Sequence, residues 1–434
     1  MRAPTEIETL YLDFDGFFAN AEKTLQPALR DRPVGVIPLA SKHTSIIARC
    51  YEAKKYGIKR GTGAKEAREL CPDIALPIAR HDEYVKLHHR ILAVIDEHVP
   101  VKKVWSVDEM ECALIGRERQ DVEGLAHKIK DALKREFGPF LTCSIGFAPN
   151  QFLAKVAAEM NKPDGLNIFR PSDLPGRLFE LALTDLPGIS SNMEKRLNAA
   201  DVWAIEDLWS LSAKHARAIW GSVEGERMWA QLRGFAVSRP DTERRMFGHG
   251  RVLSSDWRRP DRARDCIRLL TAKAARRLRR ENYTASALSV SLTTVDGRRW
   301  GRESRFFPAR DDYTFLTEMT RTYDAGITAL QTPKLKKLSV MLHGIAQVGT
   351  VAEDLFEQAE TRSRRARWET ITDAMDALNA RNGNCVISLG IRKEPPGGYA
   401  GAKIAFGRVP DLNDFALTPD AARAHQTLQE DYIP

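Results

Sequence analysis

Residues 104–112 read VWSVDEMEC and place two adjacent carboxylates, Asp108 and Glu109, at the end of an apolar run typical of a β-strand. Burying unpaired carboxylates is costly, so this pattern predicts a bound cation. Neighbouring residues of a regular strand point to opposite faces of the sheet, so the two acids can share a site only if the chain bends there. The alternative is a surface turn that carries two ordinary acids.

Length and composition limit the class of protein. With 434 residues, 43% of them hydrophobic and 29% charged, the chain predicts a globular protein of several domains. Its apolar runs are shorter than the roughly 20 residues that a membrane span needs. The N-terminus lacks a signal-peptide core, and the six cysteines are scattered without a CxxC pair. We therefore expect a cytoplasmic protein without a membrane partner, a zinc site or a disulfide framework.

The positive charge is concentrated in one region. Residues 241–310 carry 18 Lys and Arg against 8 Asp and Glu, whereas the whole chain has a net charge of only +8. A basic segment on a near-neutral body is typical of proteins that bind polyanions, usually nucleic acid. The alternative is a solvated basic helix face.

A third acid, Asp13, lies near the end of another strand-like run, residues 8–14 (ETLYLDF). If the two strands are neighbours in one sheet, Asp13, Asp108 and Glu109 meet at one edge, where their charges repel unless a divalent cation neutralises them. Hard oxygen ligands select Mg²⁺ or Mn²⁺. Two such ions roughly 3.5–4 Å apart can stabilise the attacking and departing oxygens of a phosphoryl transfer.

The pattern of elements changes along the chain. An α/β body is followed by short helices with glycine-containing turns in residues 172–235 and by a polar linker in residues 236–248. Residues 249–345 then show the order strand, helix, two strands, helix, strand. This βαββαβ order predicts a compact α+β domain with helices on one face of a sheet.

Five motifs occur in a characteristic order: YLDFDGFFANAE, ARCYEAKKYG, WSVDE, SIGFAPNQFLAKVAAEMNKPDG and LPGIS. Together they resemble the Y-family DNA polymerases of the DinB and UmuC type, which copy damaged templates. The resemblance covers roughly residues 8–345.

This resemblance implies a multidomain α+β protein shaped as a right hand, with an α/β palm, small fingers, a helical thumb with a helix-hairpin-helix, a βαββαβ little finger and a C-terminal extension. The implied boundaries are 1–16 and 81–170 for the palm, 17–80 for the fingers, 171–237 for the thumb, 238–248 for a linker, 249–346 for the little finger and 347–434 for the extension.

The resemblance also implies catalytic roles. Asp13, Asp108 and Glu109 match the family's metal-binding carboxylates, and the backbone carbonyl of Phe14 matches a further ligand. The expected cofactor is a pair of Mg²⁺ ions, for which Mn²⁺ can substitute. Asp15 also stands at an acidic position of the motif, where a helix-cap or hydrogen-bonding role is at least as plausible as direct ligation.

Four side chains match the nucleotide site of the family: Phe18, Tyr51, Lys54 and Lys162. Phe18 matches the steric gate that excludes the ribose 2′-hydroxyl. The other three match groups that bind the triphosphate, although core packing for Tyr51 and simple solvation for Lys162 remain open. The family usually has YEAR where this chain has YEAK, and Ala48 replaces a common hydroxyl residue, so nucleotide affinity can differ from that of relatives.

DNA and protein contacts are expected elsewhere. Gly188 and Ser190 lie in the turn of the predicted helix-hairpin-helix, which would offer backbone N–H groups to a phosphate. Arg298 and Arg302 lie on predicted little-finger strands and would meet the duplex backbone. Leu355 and Phe356 resemble the anchors of a peptide that binds the replication sliding clamp, with local packing as the alternative.

The sequence therefore predicts a template-directed, low-fidelity DNA polymerase that uses primer–template DNA and dNTPs in translesion synthesis, with accessory mutagenesis proteins as further expected partners. One alternative is a catalytically silent, polymerase-like adaptor, although this chain retains all three carboxylates. Another is a two-metal nuclease, which would leave the steric gate and the phosphate-binding lysines unexplained.

Overall fold

The computed structural model describes residues 5–38, 44–238, 243–331, 334–350, 358–382, 386–390 and 409. The described residues up to 238, with residue 409, form an N-terminal unit, and those from 243 to 390 form a C-terminal unit.

The N-terminal unit is built on a five-stranded sheet with the order β4-β5-β1-β6-β7, in which only the β6-β7 pair is parallel. Its strands are β1 Thr9–Phe14, β4 Val101–Val104, β5 Glu109–Ala113, β6 Cys143–Ala148 and β7 Leu166–Ile168. The central strand β1 is buried throughout: Leu10 and Leu12 enter one hydrophobic core, and Tyr11 enters another. Burial on both faces explains why this strand reads as a nearly continuous apolar run.

Helices cover both faces of this sheet. The first core contains residues of α4 (His81–Asp96) and α5 (Val122–Phe137), and the second contains residues of α6 (Gln151–Met160). A two-stranded sheet, β2 Gly35–Val36 with β3 Ala48–Arg49, lies between short helices. The helices of this part are α1 Phe17–Leu25, α2 Tyr51–Lys55, α3 Ala64–Leu70, α4 His81–Asp96, α5 Val122–Phe137 and α6 Gln151–Met160.

Four short helices complete the N-terminal unit: α7 Ser191–Asn198, α8 Ile205–Ser210, α9 Ala213–Trp220 and α10 Glu224–Leu232. Their apolar residues, such as Leu197 and Ile205, share one core with Phe152 and Val156 of α6. The side-chain amide of Asn150, which caps α6, donates to the carbonyl oxygens of Gln231 and Phe235. The short helices are therefore anchored directly to the helix that follows β6.

The C-terminal unit confirms the βαββαβ order. Its elements are β8 Met246–Val252, α11 Pro260–Arg280, β9 Tyr283–Thr294, β10 Arg299–Ala309, α12 Asp312–Leu330 and β11 Leu335–Gln347. The sheet is antiparallel with the order β10-β9-β11-β8, and α11 and α12 pack on one of its faces.

A further helix, α13 Ala359–Arg381, packs on the helical side of this unit. Arg279 of α11 forms ion pairs with Asp312 of α12 at 2.7 Å and with Asp376 of α13 at 2.6 Å. The rings of Tyr313 and Trp368 stack with their centroids 4.4 Å apart.

Two expectations from composition can be compared with the described residues. Among them, no helix combines the length and the apolar character that crossing a membrane requires. The cysteines at 50, 71, 112, 143 and 266 are all buried as free thiols.

Candidate active site

The acids of β1 and β5 meet because the two strands are antiparallel neighbours. Asp13 lies directly opposite Glu109, and residues so paired point to the same face of a sheet. Asp108 stands outside the regular strand, since the chain bends over residues 105–108. The bend is fixed by hydrogen bonds from the N–H groups of Trp105 and Ser106 to the Glu109 carbonyl oxygen, at 2.9 and 3.2 Å. Asp108 is therefore outside the regular alternation of the strand, but its carboxylate does not join the group that Asp13, Glu109 and Glu159 form within 4.8 Å.

Asp108 is tied to β1 through its backbone, because the Phe14 N–H donates to the Asp108 carbonyl oxygen at 2.9 Å. Its carboxylate accepts a hydrogen bond from the Ser106 hydroxyl. On the other side of the bend, Nδ1 of the buried His88 lies 2.8 Å from the Val107 carbonyl oxygen. Burial lowers the pKa of His88 to about 4, so the ring is neutral and donates this hydrogen bond at neutral pH.

Burial makes the charge on these acids costly. Only 5% of Asp13 is exposed, and burial raises the pKa of Asp13 to about 8; Lys162 opposes the shift, and Glu159 adds to it. Burial also raises the pKa of Asp108. Carboxylate oxygens of Asp13, Glu109 and Glu159 lie within 4.8 Å of one another. This group of hard oxygen donors fits a divalent cation such as Mg²⁺ or Mn²⁺.

Three charged residues from α6 and the turn after it line this acidic cluster. Lys155 forms an ion pair with Glu109, and Lys162 lies 2.7 Å from Asp13 and 3.0 Å from Glu159. The motifs predicted a triphosphate contact for Lys162, but no prediction was made for Lys155 or Glu159. Their spacing along the helix, four residues and then three, would have placed all three on one helix face. We call Lys155, Glu159 and Lys162 the α6 stripe.

Within the α6 stripe, Lys162 and Glu159 favour each other's charged form. Burial opposes the charged form of Lys162, but Asp13 and Glu159 outweigh it and raise the pKa of Lys162. Burial would raise the pKa of Glu159, yet Lys162 and the contact with Asp13 lower it. The α6 stripe therefore supplies positive charge beside carboxylates that are otherwise expensive to bury.

Asp15 has a hydrogen-bonding role. Its carboxylate accepts hydrogen bonds from the hydroxyls of Ser144 at 2.9 Å and Thr142 at 3.0 Å, and from the Asp164 N–H at 2.8 Å. Because Asp164 lies two residues after Lys162, Asp15 fixes the turn that carries this lysine.

The residues predicted for the sugar pocket lie on α1. Phe17 is buried in the core, whereas Phe18 is partly exposed and its ring stacks on Tyr84 with centroids 4.6 Å apart. Helix α1 begins after Gly16, which has φ +52°, and a Cβ there would lie 2.6 Å from the Arg49 carbonyl oxygen. Only glycine fits this close turn between β1 and α1.

The predicted triphosphate residues Tyr51 and Lys54 lie on α2. Burial, followed by the negative charge of Asp15, raises the pKa of Tyr51 to about 12. The ammonium of Lys54, an exposed residue, lies 5.2 Å from the centre of the Tyr51 ring. Ala48 lies on β3, just before α2, and offers no hydroxyl. Tyr51 is therefore electrostatically coupled to the acidic cluster, and Lys54 extends toward solvent.

The predicted DNA contacts in the short helices lie in the turn before α7. Gly188 has φ +93°, and Ser190 is the exposed N-cap of α7. The Ser190 side chain makes no capping hydrogen bond within the described residues. Within this turn the buried Ile189 donates its backbone N–H to the Leu186 carbonyl oxygen at 3.0 Å, so a phosphate contact would use other groups of the turn.

The sheet of the C-terminal unit has one face opposite its helices, which we call the open sheet face. Alternation along the strands places mostly polar residues there: Ser289, Ser291, Thr293, Lys337, Ser339, Met341 and His343. On the exposed edge strand β10, Arg299 pairs with Thr293 of this face, whereas Arg302 pairs with Val290, whose side chain is buried. Arg298 forms an ion pair with Asp296 at 2.9 Å. Leu355 and Phe356 lie outside the described residues.

Solved structures share this architecture. A chimera titled Y-family DNA polymerase Dbh-Dpo4(243-245)-Dbh aligns over 78% of this chain and 99% of its own, with a TM-score of 0.66 and 21% identity. An insertion ternary complex of Dbh DNA polymerase aligns over the same shares with a TM-score of 0.51 and 23% identity. The fold is that of the Y-family DNA polymerases, as the sequence predicted.

Sequence comparisons define the family. Residues 12–159 match the impB/mucB/samB family, and residues 244–366 match the C-terminal domain of that family. DNA polymerase IV of Moorella thermoacetica is 30% identical over 93% of this chain and 99% of its own length. DNA polymerase IV 1 of Bacillus subtilis is 26% identical over 88% and 93%, respectively. The chain belongs to the impB/mucB/samB family of Y-family, DNA-directed DNA polymerases.

Proposed function

We propose that this protein is a template-directed, low-fidelity polymerase for translesion synthesis, which transfers a nucleotide from a dNTP to a primer 3′-hydroxyl. The observation that carries the proposal is the pairing of Asp13 with Glu109 beside the Lys162 ammonium. Carboxylates for a metal and a cation for phosphate thereby share one site. Relatives named DNA polymerase IV support the same activity, and structures titled as insertion and post-insertion complexes support DNA and dNTPs as partners.

Asp13, Asp108, Glu109 and the Phe14 carbonyl would hold two divalent cations, with Mg²⁺ as the natural ion and Mn²⁺ as a substitute. When bound, such ions stabilise charge on the attacking and departing oxygens of the transfer. Ser106, His88 and the backbone bonds around residues 105–108 orient Asp108 and Glu109. Lys155 neutralises part of the charge on Glu109.

Nucleotide binding would fall to the other predicted residues. Lys162, Tyr51 and Lys54 would contact the triphosphate, where positive charge and hydrogen-bond donors stabilise the departing pyrophosphate. Phe18, held against Tyr84, would exclude a ribose 2′-hydroxyl.

Duplex DNA would be bound without sequence preference. The turn with Gly188 and Ser190 would contact a phosphate, and Arg298 and Arg302 would contact the duplex backbone. The sliding clamp, through Leu355 and Phe356, and accessory mutagenesis proteins remain further proposed partners.

Primer extension tests the proposed function. The full-length protein is given a primed template, dNTPs and Mg²⁺, and the wild type is compared with Asp108→Ala and with the control Asp131→Ala, which removes an exposed acid of α5. We expect Asp108→Ala to reduce extension by about 10³-fold while DNA binding stays intact, and Asp131→Ala to extend normally.

The same assay distinguishes the alternatives. DNA binding without extension by the wild-type protein would indicate an adaptor, and a shortened primer would indicate a nuclease. A template that contains a lesion, compared with its undamaged counterpart, tests translesion synthesis: a block of extension at the lesion would contradict that part of the proposal.

A further inference from the structure

Glu159 is the most exposed of the three carboxylates in the acidic cluster, and it is not among the metal ligands that the family motifs predict. Its Oε1 atom is 3.0 Å from the Lys162 Nζ atom, which is also 2.7 Å from the Asp13 Oδ1 atom. The exposed fraction of the side chain is 43% for Glu159, 16% for Lys162 and 8% for Asp13. Lys162 thus reaches into the cluster from the rim and has one carboxylate on each side.

Asp13 and Glu159 differ in whether they stay available to Lys162 when a metal ion is bound. An ammonium group has three N–H donors, so contacts with Asp13 and Glu159 leave one donor for a phosphate oxygen. Asp13 is also a proposed metal ligand, and a cation bound there would compete with Lys162 for the Asp13 oxygens. Glu159 lies one helical turn before Lys162, so its contact depends only on the end of α6 and on the turn that Asp15 fixes.

We propose that Glu159 is a positioning residue that holds Lys162 in the orientation required to bind the dNTP triphosphate. The inference rests on the proposed nucleotide-binding role of Lys162. Glu159 does not contact the nucleotide; it restricts the rotamers of the lysine and retains the lysine in the cleft when Asp13 is occupied. A lysine that loses this contact has to be ordered by the nucleotide itself, which weakens nucleotide binding.

Equilibrium nucleotide binding tests this role without turnover. The full-length protein is bound to a primer–template whose primer ends in a dideoxynucleotide, and a fluorescent dNTP is titrated by anisotropy in Mg²⁺. We expect Glu159→Gln to raise the Kd for the dNTP by about 5-fold to 20-fold, with kcat on a normal primer at saturating dNTP changed less than threefold. Glu159→Asp, which retains the charge, should recover part of the affinity.

Glu69→Gln is the matched control, because it removes an exposed Lys–Glu pair one helical turn apart on α3. The control should leave both the Kd and kcat unchanged. Since Glu159 is partly exposed, we expect its variants to have the wild-type melting temperature.

A double-mutant cycle tests whether Glu159 affects dNTP binding through Lys162 or independently of it. If Glu159 acts through Lys162, Glu159→Gln should have no further effect on the Kd in a Lys162→Ala background. A Kd for Glu159→Gln within twofold of the wild type, while Lys162→Ala binds weakly, would overturn this inference alone. Normal nucleotide binding by Lys162→Ala would overturn the role of Lys162 and this inference with it, whereas extension by Asp108→Ala would contradict the proposed catalytic site.

Discussion

The sheets of the two units organise charge in different ways. In the N-terminal unit, Asp13 and Glu109 converge at one edge of the sheet, and the neighbouring Lys155 and Lys162 offset the cost of burying them. In the C-terminal unit, mostly polar residues occupy the open sheet face, and arginines such as Arg299 and Arg302 stand on an exposed edge strand. The interaction energy between buried charges is large and depends on their positions, whereas the interaction between exposed charges is screened by salt.

The C-terminal unit also has a buried ion cluster, and its contacts are structural. Arg279 joins α11, α12 and α13 through Asp312 and Asp376, with 5% of the arginine side chain exposed. Ion pairs of similar geometry therefore have different roles in the two units. Beside the acidic cluster they surround the proposed reaction site, whereas at Arg279 they join helices. The two units should therefore respond differently to substitution.

The largest expected effect is on catalysis in the N-terminal unit. Asp13→Asn keeps the size of the side chain but removes a charge from the proposed metal site, so we expect kcat for primer extension to fall by about 10³-fold or more. The Kd for primer–template DNA, measured by anisotropy, should stay within threefold of the wild type. A loss of DNA affinity as large as the loss of kcat would remove the functional distinction between the units.

The next effect concerns stability. Arg279→Ala leaves the buried Asp312 without its guanidinium partner and leaves the half-buried Asp376 with the longer contact to Arg276, at 3.8 Å. We therefore expect the free energy of unfolding of the C-terminal unit to fall by about 3–5 kcal/mol in urea. Arg305→Ala, the matched control, removes an exposed arginine paired with Glu303 and should cost less than about 1 kcal/mol. Equal losses in the two variants would show that burial does not distinguish these ion pairs.

A smaller effect is expected on sugar selection. Phe18→Ala removes the ring that stacks on Tyr84. If Phe18 is the proposed steric gate, this change opens space under the sugar. We expect the preference for dNTPs over rNTPs in primer extension to fall by roughly 10-fold to 200-fold, the range that shape exclusion supplies. Phe17→Leu is the control for a change in the adjacent buried ring. Unchanged sugar selectivity in Phe18→Ala would remove the steric-gate assignment.

The smallest effect is expected at the exposed edge of the C-terminal sheet. If Arg302 contacts a phosphate, Arg302→Ala should reduce by about one the slope of log affinity for DNA against log salt concentration. Arg298→Ala should change the slope less, because Arg298 is paired with Asp296 and donates a hydrogen bond to the Leu330 carbonyl oxygen. An unchanged slope for Arg302→Ala would contradict a phosphate contact by Arg302 and would favour a contact on the opposite side of β10, where Arg299 lies.

Patterns that are local in the chain were readable from the sequence. The apolar run of β1 and the βαββαβ order predicted elements that the structure confirms. The family motifs also predicted site roles for Asp13, Asp108, Glu109 and Lys162. These features are readable because short-range backbone preferences and the alternation of apolar residues are encoded within each segment.

The tertiary structure decided which of these residues meet. The register of β1 on β5 sets Asp13 opposite Glu109, and the bend at residues 105–108 takes Asp108 out of the regular strand. The contacts of Lys155, Glu159 and His88 depend on the packing of α6 and α4 on the sheet. Residues far apart in the chain become neighbours through strand register and helix packing, and neither is encoded in a single segment of sequence.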